Sequence, residues 1–348
     1  MYKVLTYEEI DRNEWSKLVR ESRTGTWFQG PEAYAFFATQ KDIMEPFVIG
    51  LEAYPQPLPE RRGVLRAVCV GYVTKEKSRL KQYFTRRAII LGGPVIADDC
   101  SDEEVYELMS AVRKQLQILN FKFKILNSPI YIETRNFNDY SQWKEAFEAA
   151  GFRYQKHLNF HVDCTDEEAM WERLSENRKR QVRKALTDER MSGLVDEREI
   201  REWYAVLEEL YRTKVKTPLW PVEFFLEAYR QGIGKFLLVK HEGKVIGGSM
   251  VVSDGRTVYE WFECGRNAEY KEQYPSVMAT WAGMKLAYEM GCARYDMMGA
   301  GEPGVPYGVR DFKSEFGGTM VEHGRFLCVC KPLLYKIGVL AVKLLKGK

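Results

Sequence analysis

The sequence is poor in the residues that build metal sites and disulfide scaffolds. Only four histidines occur in 348 residues. The seven cysteines (Cys69, Cys100, Cys164, Cys264, Cys292, Cys328 and Cys330) are odd in number, irregular in spacing and without a CxxC pair. Zinc and disulfide frameworks are therefore poor readings, and a reducing cytoplasm is expected. His157 and His161 lie four apart on an expected strand with no third ligand, so no metal site is expected. No run approaches the ~20 apolar residues of a spanning helix. The N-terminal MYKVLTYEEIDRNEW carries acidic residues where a signal peptide needs an apolar stretch. Charge of one sign is lacking too: 52 basic and 49 acidic residues leave a formal +3. A dedicated DNA binder would carry a dominant positive field, so DNA is not an expected partner.

What is present reads as an α+β protein of about two domains, given ~150 residues per core. Four segments carry a short capping residue with glutamate three places on: Thr6/Glu9, Ser101/Glu104, Thr165/Glu168 and Asp196/Glu199. Each pair predicts a helix start, and Pro31 predicts another. Strands are expected at 63–73, 87–91, 235–240, 244–253 and 257–264. The last three are separated by Glu242-Gly243 and Asp254-Gly255 and read as an antiparallel meander. The halves echo each other. A helix ending at Ala150, then Gly151, then a strand over 152–162 matches a helix over 276–290, then Gly291, then a strand over 293–298. The boundary is placed at Cys164/Thr165, giving domains 1–164 and 165–330 and a tail 331–348. A single helix over 166–185 is expected to bridge them.

Two clusters stand out as candidate chemistry. In SENRKRQVRKA, Trp171, Leu174, Val182 and Ala185 define an apolar stripe, and Arg178 falls near its middle. A guanidinium aimed inward requires an anion or a lined cleft. Arg180, Arg183 and Lys184 point away from the stripe. The second cluster runs from Tyr295 to Gly318. A glycine- and proline-rich loop from Gly299 to Gly308 precedes Lys313, which sits between Phe312 and Phe316. A long loop inside a compact domain reads as a binding wall or lid. Lys313 and Arg178 are expected to converge on one anion.

The segments GKVIGGSMVVSDGRTVYEW, YPSVMATWAGMKLAYEMGCARYDMMG and DFKSEFGG resemble the C-terminal half of the FemABX family, within the GNAT superfamily. LSENRKRQVRKA resembles that family's arginine-rich stretch, and TWFQGPEAYAFF its N-terminal pattern. The resemblance touches both halves. It implies two tandem GNAT-like domains, each a mixed sheet flanked by helices, that transfer an aminoacyl or acyl group to an amine. In the peptidoglycan members the donor is aminoacyl-tRNA and the acceptor a muropeptide precursor. The implied partners here are thus a tRNA acceptor end and a cell-envelope precursor with a free amine, with no tightly bound cofactor. Lys313 matches the family lysine near the reacting ester, where a fixed cation stabilises the oxyanion. Asp296 matches the D-x-x-G and is the candidate base. Gln29, Arg178 and Arg183 are implied as binding residues. Backbone amides around Gly248-Ser249 would hold the donor carbonyl, and Tyr259 and Trp261 would line the acceptor cleft.

The sequence departs from this pattern in two places. NAEYKEQYPSVMATW lacks the glycine of the loop on which acyl-CoA enzymes cradle pyrophosphate, which places acyl-CoA second as donor. Phe36 and Phe37 stand where the peptidoglycan members carry a lysine. Two other readings stay open: an acyl-CoA-dependent N-acyltransferase on an amino sugar of an exopolysaccharide, and a non-catalytic scaffold binding glycan or RNA. The tail is apolar from Leu333 to Leu345, with Lys336 and Lys343 seven apart. It is expected to dock on the core or to lie on the inner face of the membrane.

Overall fold

The computed structural model describes residues 1–54, 63–122, 128–186 and 195–345. The first run comprises β1 (Tyr2–Leu5), α1 (Arg12–Glu21), α2 (Pro31–Thr39), β2 (Met44–Ala53), β3 (Val64–Thr74), α3 (Arg79–Thr85), β4 (Ala88–Gly92), β5 (Val95–Ile96), α4 (Asp102–Lys122), β6 (Tyr131–Asn136), α5 (Lys144–Ala149) and β7 (Arg153–Gln155). Next come β8 (Leu158–Asp163), α6 (Glu167–Glu172), α7 (Glu176–Leu186), α8 (Glu197–Leu210), α9 (Val222–Arg230), β9 (Lys235–His241), β10 (Lys244–Ser253), β11 (Thr257–Gly265), α10 (Pro275–Glu289), β12 (Arg294–Gly299), α11 (Gly308–Ser314) and β13 (Thr319–Glu322). The chain closes with β14 (Arg325–Val329) and α12 (Pro332–Leu345).

These elements form two mixed sheets flanked by helices, as expected of an α+β tandem. One sheet runs β1-β2-β3-β4-β6-β14-β7, with β5 on β3; the other runs β13-β8-β12-β11-β10-β9. In each, a strand crosses through a helix to a parallel neighbour: β4 through α4 to β6, and β11 through α10 to β12. The duplication read from the glycine-ended helices is thus real at the level of topology. Gly151 and Gly291 both adopt positive φ, +93° and +68°, ending their helices as left-handed caps.

The units are Met1–His157 with Glu322–Lys348, and Leu158–Val321, which corrects the expected boundaries at 164/165 and 330/331. The expected strand over 152–162 breaks at Lys156-His157 into β7 and β8, which join different sheets. In the first unit β14 lies between β6 and β7; in the second, β8 lies between β12 and β13. Each repeat therefore sends its last strand into the other repeat's sheet. Residues 346–348 of the tail lie outside the described residues, and α12 belongs to the first unit.

Phe326 on β14 shows how firmly this strand is built in. It is fully buried, stacked on Phe147 at 4.1 Å and edge-on to Tyr154. Phe326→Ala should destabilise the protein by about 3–5 kcal/mol, the scale of a large aromatic deletion. Urea unfolding reads this directly; a loss below about 1 kcal/mol would mean that β14 is not integral to the sheet.

Local signals set the helix starts, with two corrections. Ser101/Glu104 forms the reciprocal box (Ser101 N to Glu104 Oε2, 2.8 Å), and Asp196 accepts from Glu199 N at 2.8 Å. Thr6/Glu9 also bonds, at 2.9 Å, but closes a turn; α1 begins later, where Asp11 accepts from Asn13 and Glu14 amides. Thr165 is held by Asp163, so Asp166 caps α6 instead. The single helix expected over 166–185 is two, both in the second unit. Ser175 N donates to Glu315 O rather than into the helix, and Ser175 Oγ accepts from Arg178 N to start α7.

Candidate active site

The second unit carries an opening in its sheet. β11 and β12 pair in parallel only from Thr257↔Arg294 to Tyr259↔Asp296, after which the ladder stops while β11 runs on to Gly265. The corresponding pair of the first unit, β4 and β6, stays zipped over five residues, from Ala88↔Ile132 to Gly92↔Asn136. Among the described residues, the second unit thus combines a parallel crossover with a strand pair that parts after three residues.

Polar side chains collect beside this splay. Glu260 is buried on β11, and its Oε2 accepts from Tyr295 at 2.6 Å and from Thr280 at 3.2 Å. Glu263 lies three residues on, yet shares its charge environment, because a bulge at Trp261 lets Phe262 and Glu260 face consecutive residues Met250 and Val251. Ser276 and Thr280, one turn apart on α10, meet the two glutamates. Glu263 is half-buried, but its Oε1 is enclosed and unpartnered, as is Oγ of Ser249 directly across the ladder. Burial pushes the Glu263 carboxyl up to about 8, helped by the neighbouring Glu260 charge and opposed by Ser276 and Lys313. Glu260 is raised for the same first reason, against Lys313, Tyr295 and Thr280.

Lys313 is the cation of the cluster. Only 7% of it is exposed, and its Nζ donates to the carbonyls of Met297 and, at 3.0 Å, Gly299. Two of its three N–H groups are thus fixed by the end of β12. Burial pulls its pKa down, and Glu260, Asp296 and Glu263 partly restore it. The carbonyls are presented by an irregular strand end in which Met298 has φ +61° and Asp296 Oδ1 accepts from Met298 N at 2.7 Å. Asp296 is fully buried with His161 Nε2 3.3 Å from its Oδ2. Burial would raise its carboxyl, but His161, Arg294 and the Met298 amide hold it below the ordinary value. One of its oxygens is thus tied to the strand end that carries the Lys313 acceptors.

The structure corrects several further expectations. Gly248 and Ser249 lie in full ladders with β9 and β11, so their backbone is not the splayed one. Gly248, at φ +150°, is required because a Cβ would meet Leu237 O at 2.5 Å. Tyr259 is wholly buried and its hydroxyl donates to Asp254, leaving no face for an acceptor; Trp261 packs edge-on against Phe224. Arg178 does point inward, but the partners it meets are the chain's own: the rings of Phe312 and Phe316, at 4.6 and 5.1 Å, with Gln181 and Glu315. It holds α11 on either side of Lys313 and binds no outside anion with those groups. Arg183 lies over Trp171. Lys179 and Lys184 are paired with glutamates 172, 176 and 272, so the basic run is largely neutralised within the unit.

In the first unit, Gln29 is fully buried. Its side chain bonds Val70 N and O and Leu91 O at 2.7–2.8 Å, plugging the gap where β3 and β4 diverge. It stitches the sheet and is not a binding residue. Phe36 and Phe37 are core residues. Among the described residues no cluster of metal-ligating side chains occurs.

The start of α10 bears on the donor. Pro275 at its first turn has no N–H, and Ser276 N donates to Asn267 Oδ1 while Asn267 Nδ2 donates to Ser276 Oγ at 2.7 Å. The first two amide positions at this helix start are thus missing or occupied by a side chain.

Residues 151–314 match the model of the acetyltransferase (GNAT) domain family. The whole chain is similar in fold to the crystal structure of FemX, at 12% identity over 96% of this chain and 99% of that one, with TM-score 0.68. A tandem GNAT protein from the clavulanic acid biosynthesis pathway matches at 7% identity, 94% and 98% coverage and TM-score 0.52. A conserved protein of unknown function from Bacteroides thetaiotaomicron matches at 8% identity, 94% and 99% coverage and TM-score 0.51. No curated protein matches the sequence.

Proposed function

We propose that the chain is an acyltransferase that moves an aminoacyl group from an ester donor such as aminoacyl-tRNA to an amine on a cell-envelope precursor, a reading supported by the GNAT-domain match over residues 151–314 and by the tandem fold shared with FemX. The observation that carries the reading is the splay itself, with a buried cation and a carboxyl with one enclosed, unpartnered oxygen beside it. Glu263 takes the proton from the attacking ammonium. The amine then adds to the ester carbonyl, and Lys313 stabilises the oxyanion. Collapse breaks the ester C–O bond, and the leaving hydroxyl takes up a proton, so an amide and a free alcohol result.

The capped start of α10 supports an ester donor over acyl-CoA. Phe36 and Phe37 support an acceptor other than a muropeptide diphosphate held by a lysine at that place. Charged tRNA and acetyl-CoA would be offered in parallel, with binding read by calorimetry and transfer by mass spectrometry. Transfer from the ester and no saturable acetyl-CoA binding are expected. A dissociation constant for acetyl-CoA of about 1 μM, ~8 kcal/mol of binding, would overturn this donor and favour transfer to an amino sugar.

A further inference from the structure

The first unit exposes apolar side chains on two helices that are pinned together. On α12, Leu333, Ile337 and Leu340 are 72, 51 and 60% exposed. Their i, i+4, i+7 spacing puts them on one stripe, and Lys336 falls at its flank. Tyr335, on the opposite side of the helix, packs edge-on against Tyr131, which fixes the stripe away from the sheet. On α3, Leu80 and Phe84 are 72 and 51% exposed, one turn apart. The two helices share an anchor. Ile130 N donates to Arg86 O just after α3, and Lys331 N, just before α12, donates to Ile130 O. Lys331 Nζ also sits 5.0 Å over the Tyr83 ring.

The sequence along these two helices is mostly basic, with Arg86 buried and paired with Glu45. From Lys331 onward the sequence holds five lysines and no acidic side chain. The stretch 75–87, which contains α3, holds six basic residues and Glu76 alone on the acidic side. Among the described residues no helix is long and apolar enough to cross a membrane. An apolar stripe flanked by lysines, too short to span, fits the headgroup boundary, where leucines enter the acyl layer and lysines reach phosphate.

From this juxtaposition we infer that α3 and α12 together form a docking surface for an anionic lipid bilayer. A protein partner with a matching acidic rim would need carboxylates that no part of this chain supplies from 323 onward, so a second copy meeting α12 through α12 faces like charge. Each lysine near an anionic surface contributes about fivefold to partitioning at low salt, and this is screened as salt rises.

The test is co-sedimentation of the full chain with vesicles of phosphatidylcholine alone and of phosphatidylcholine with 30 mol% phosphatidylglycerol, a composition of roughly physiological anionic content. Binding to the anionic vesicles should exceed binding to neutral ones by about tenfold or more and fall between 50 and 500 mM salt, over which the Debye length shortens about threefold. Ile337→Glu with Leu340→Glu, and separately Leu80→Glu with Phe84→Glu, should each reduce bound protein by about tenfold. These positions are exposed, so the thermal melt should not move. Equal binding to both vesicles, no binding to either, or variants that bind like the parent would overturn the inference. Dimerisation in sedimentation velocity that the same variants abolish would also overturn it, assigning the stripe to a second copy.

Discussion

Glu263→Gln should lower transfer by about 10²–10⁴-fold, the range for losing a positioned general base. At neutral pH the carboxyl, raised to about 8, is mostly protonated, and glutamine is its near-isostere in that state. The substitution therefore removes proton transfer with little change in packing. The parent enzyme's kcat/KM should climb as pH passes through about 8, and that inflection should vanish in the variant. A fall of less than about fivefold, or an unchanged inflection, would remove Glu263 from the mechanism. Stability gives an independent reading. The folded state keeps a proton that the unfolded chain releases near the ordinary carboxyl value of 4.5. Stability from this group is complete below about 4.5 and is lost as pH rises through about 8. The variant should therefore melt higher than the parent above that pH and alike below about pH 4.5.

Lys313→Met carries the second large effect, a loss of about 10²–10³-fold in kcat, the scale of removing one oxyanion-stabilising group. Methionine keeps the volume and removes the charge. It also leaves the Met297 and Gly299 carbonyls unpaired, a cost of about 1–3 kcal/mol for each buried group that offsets the relief of no longer burying an ammonium. Kinetics and melting temperature must be read together. A rate loss with the protein still folded, not restored by saturating acceptor, supports the electrostatic role. A rate within threefold of the parent would end it. With Glu260 and Glu263 nearby, removal of the cation should also push the Glu263 carboxyl higher, so the inflection near 8 should move to higher pH in this variant.

How much of this was legible before the fold was known differs sharply by element. The meander over 235–265 and the α10–β12 pairing were readable because turn residues and glycine caps act locally. Lys313 was readable as a lone cation among aromatics. Glu260 and Glu263 were missed, since a spacing of three places two strand residues on opposite faces unless a bulge intervenes, and the bulge at Trp261 has no local mark. One signal was available: Ser276 and Thr280 are hydroxyls a turn apart in the otherwise apolar stretch Pro275–Met284 of α10, and such a pair needs a buried polar partner. Arg178 was correctly placed inward but given an outside anion, because Glu315 lies far away in sequence. Gln29 was read as a binding residue because the sequence does not show that β3 and β4 part above it.

The exchanged strands bear on how the polypeptide is made. A ribosome delivers β6 and β7 early, but β14, which must sit between them, leaves the exit tunnel only after the entire second unit has been translated. At about 5–20 residues per second, the gap from β7 to β14 lasts roughly 10–30 s. Through that interval two strand edges are bare, which is the condition that invites nascent chains to pair with the wrong neighbour. The second unit has no such delay, because β8 is already waiting when β12 emerges. The C-terminal repeat should thus complete its sheet first and the N-terminal repeat last, the reverse of the order of synthesis. A gene cut at its midpoint would yield two fragments, each holding a strand that only the other can use.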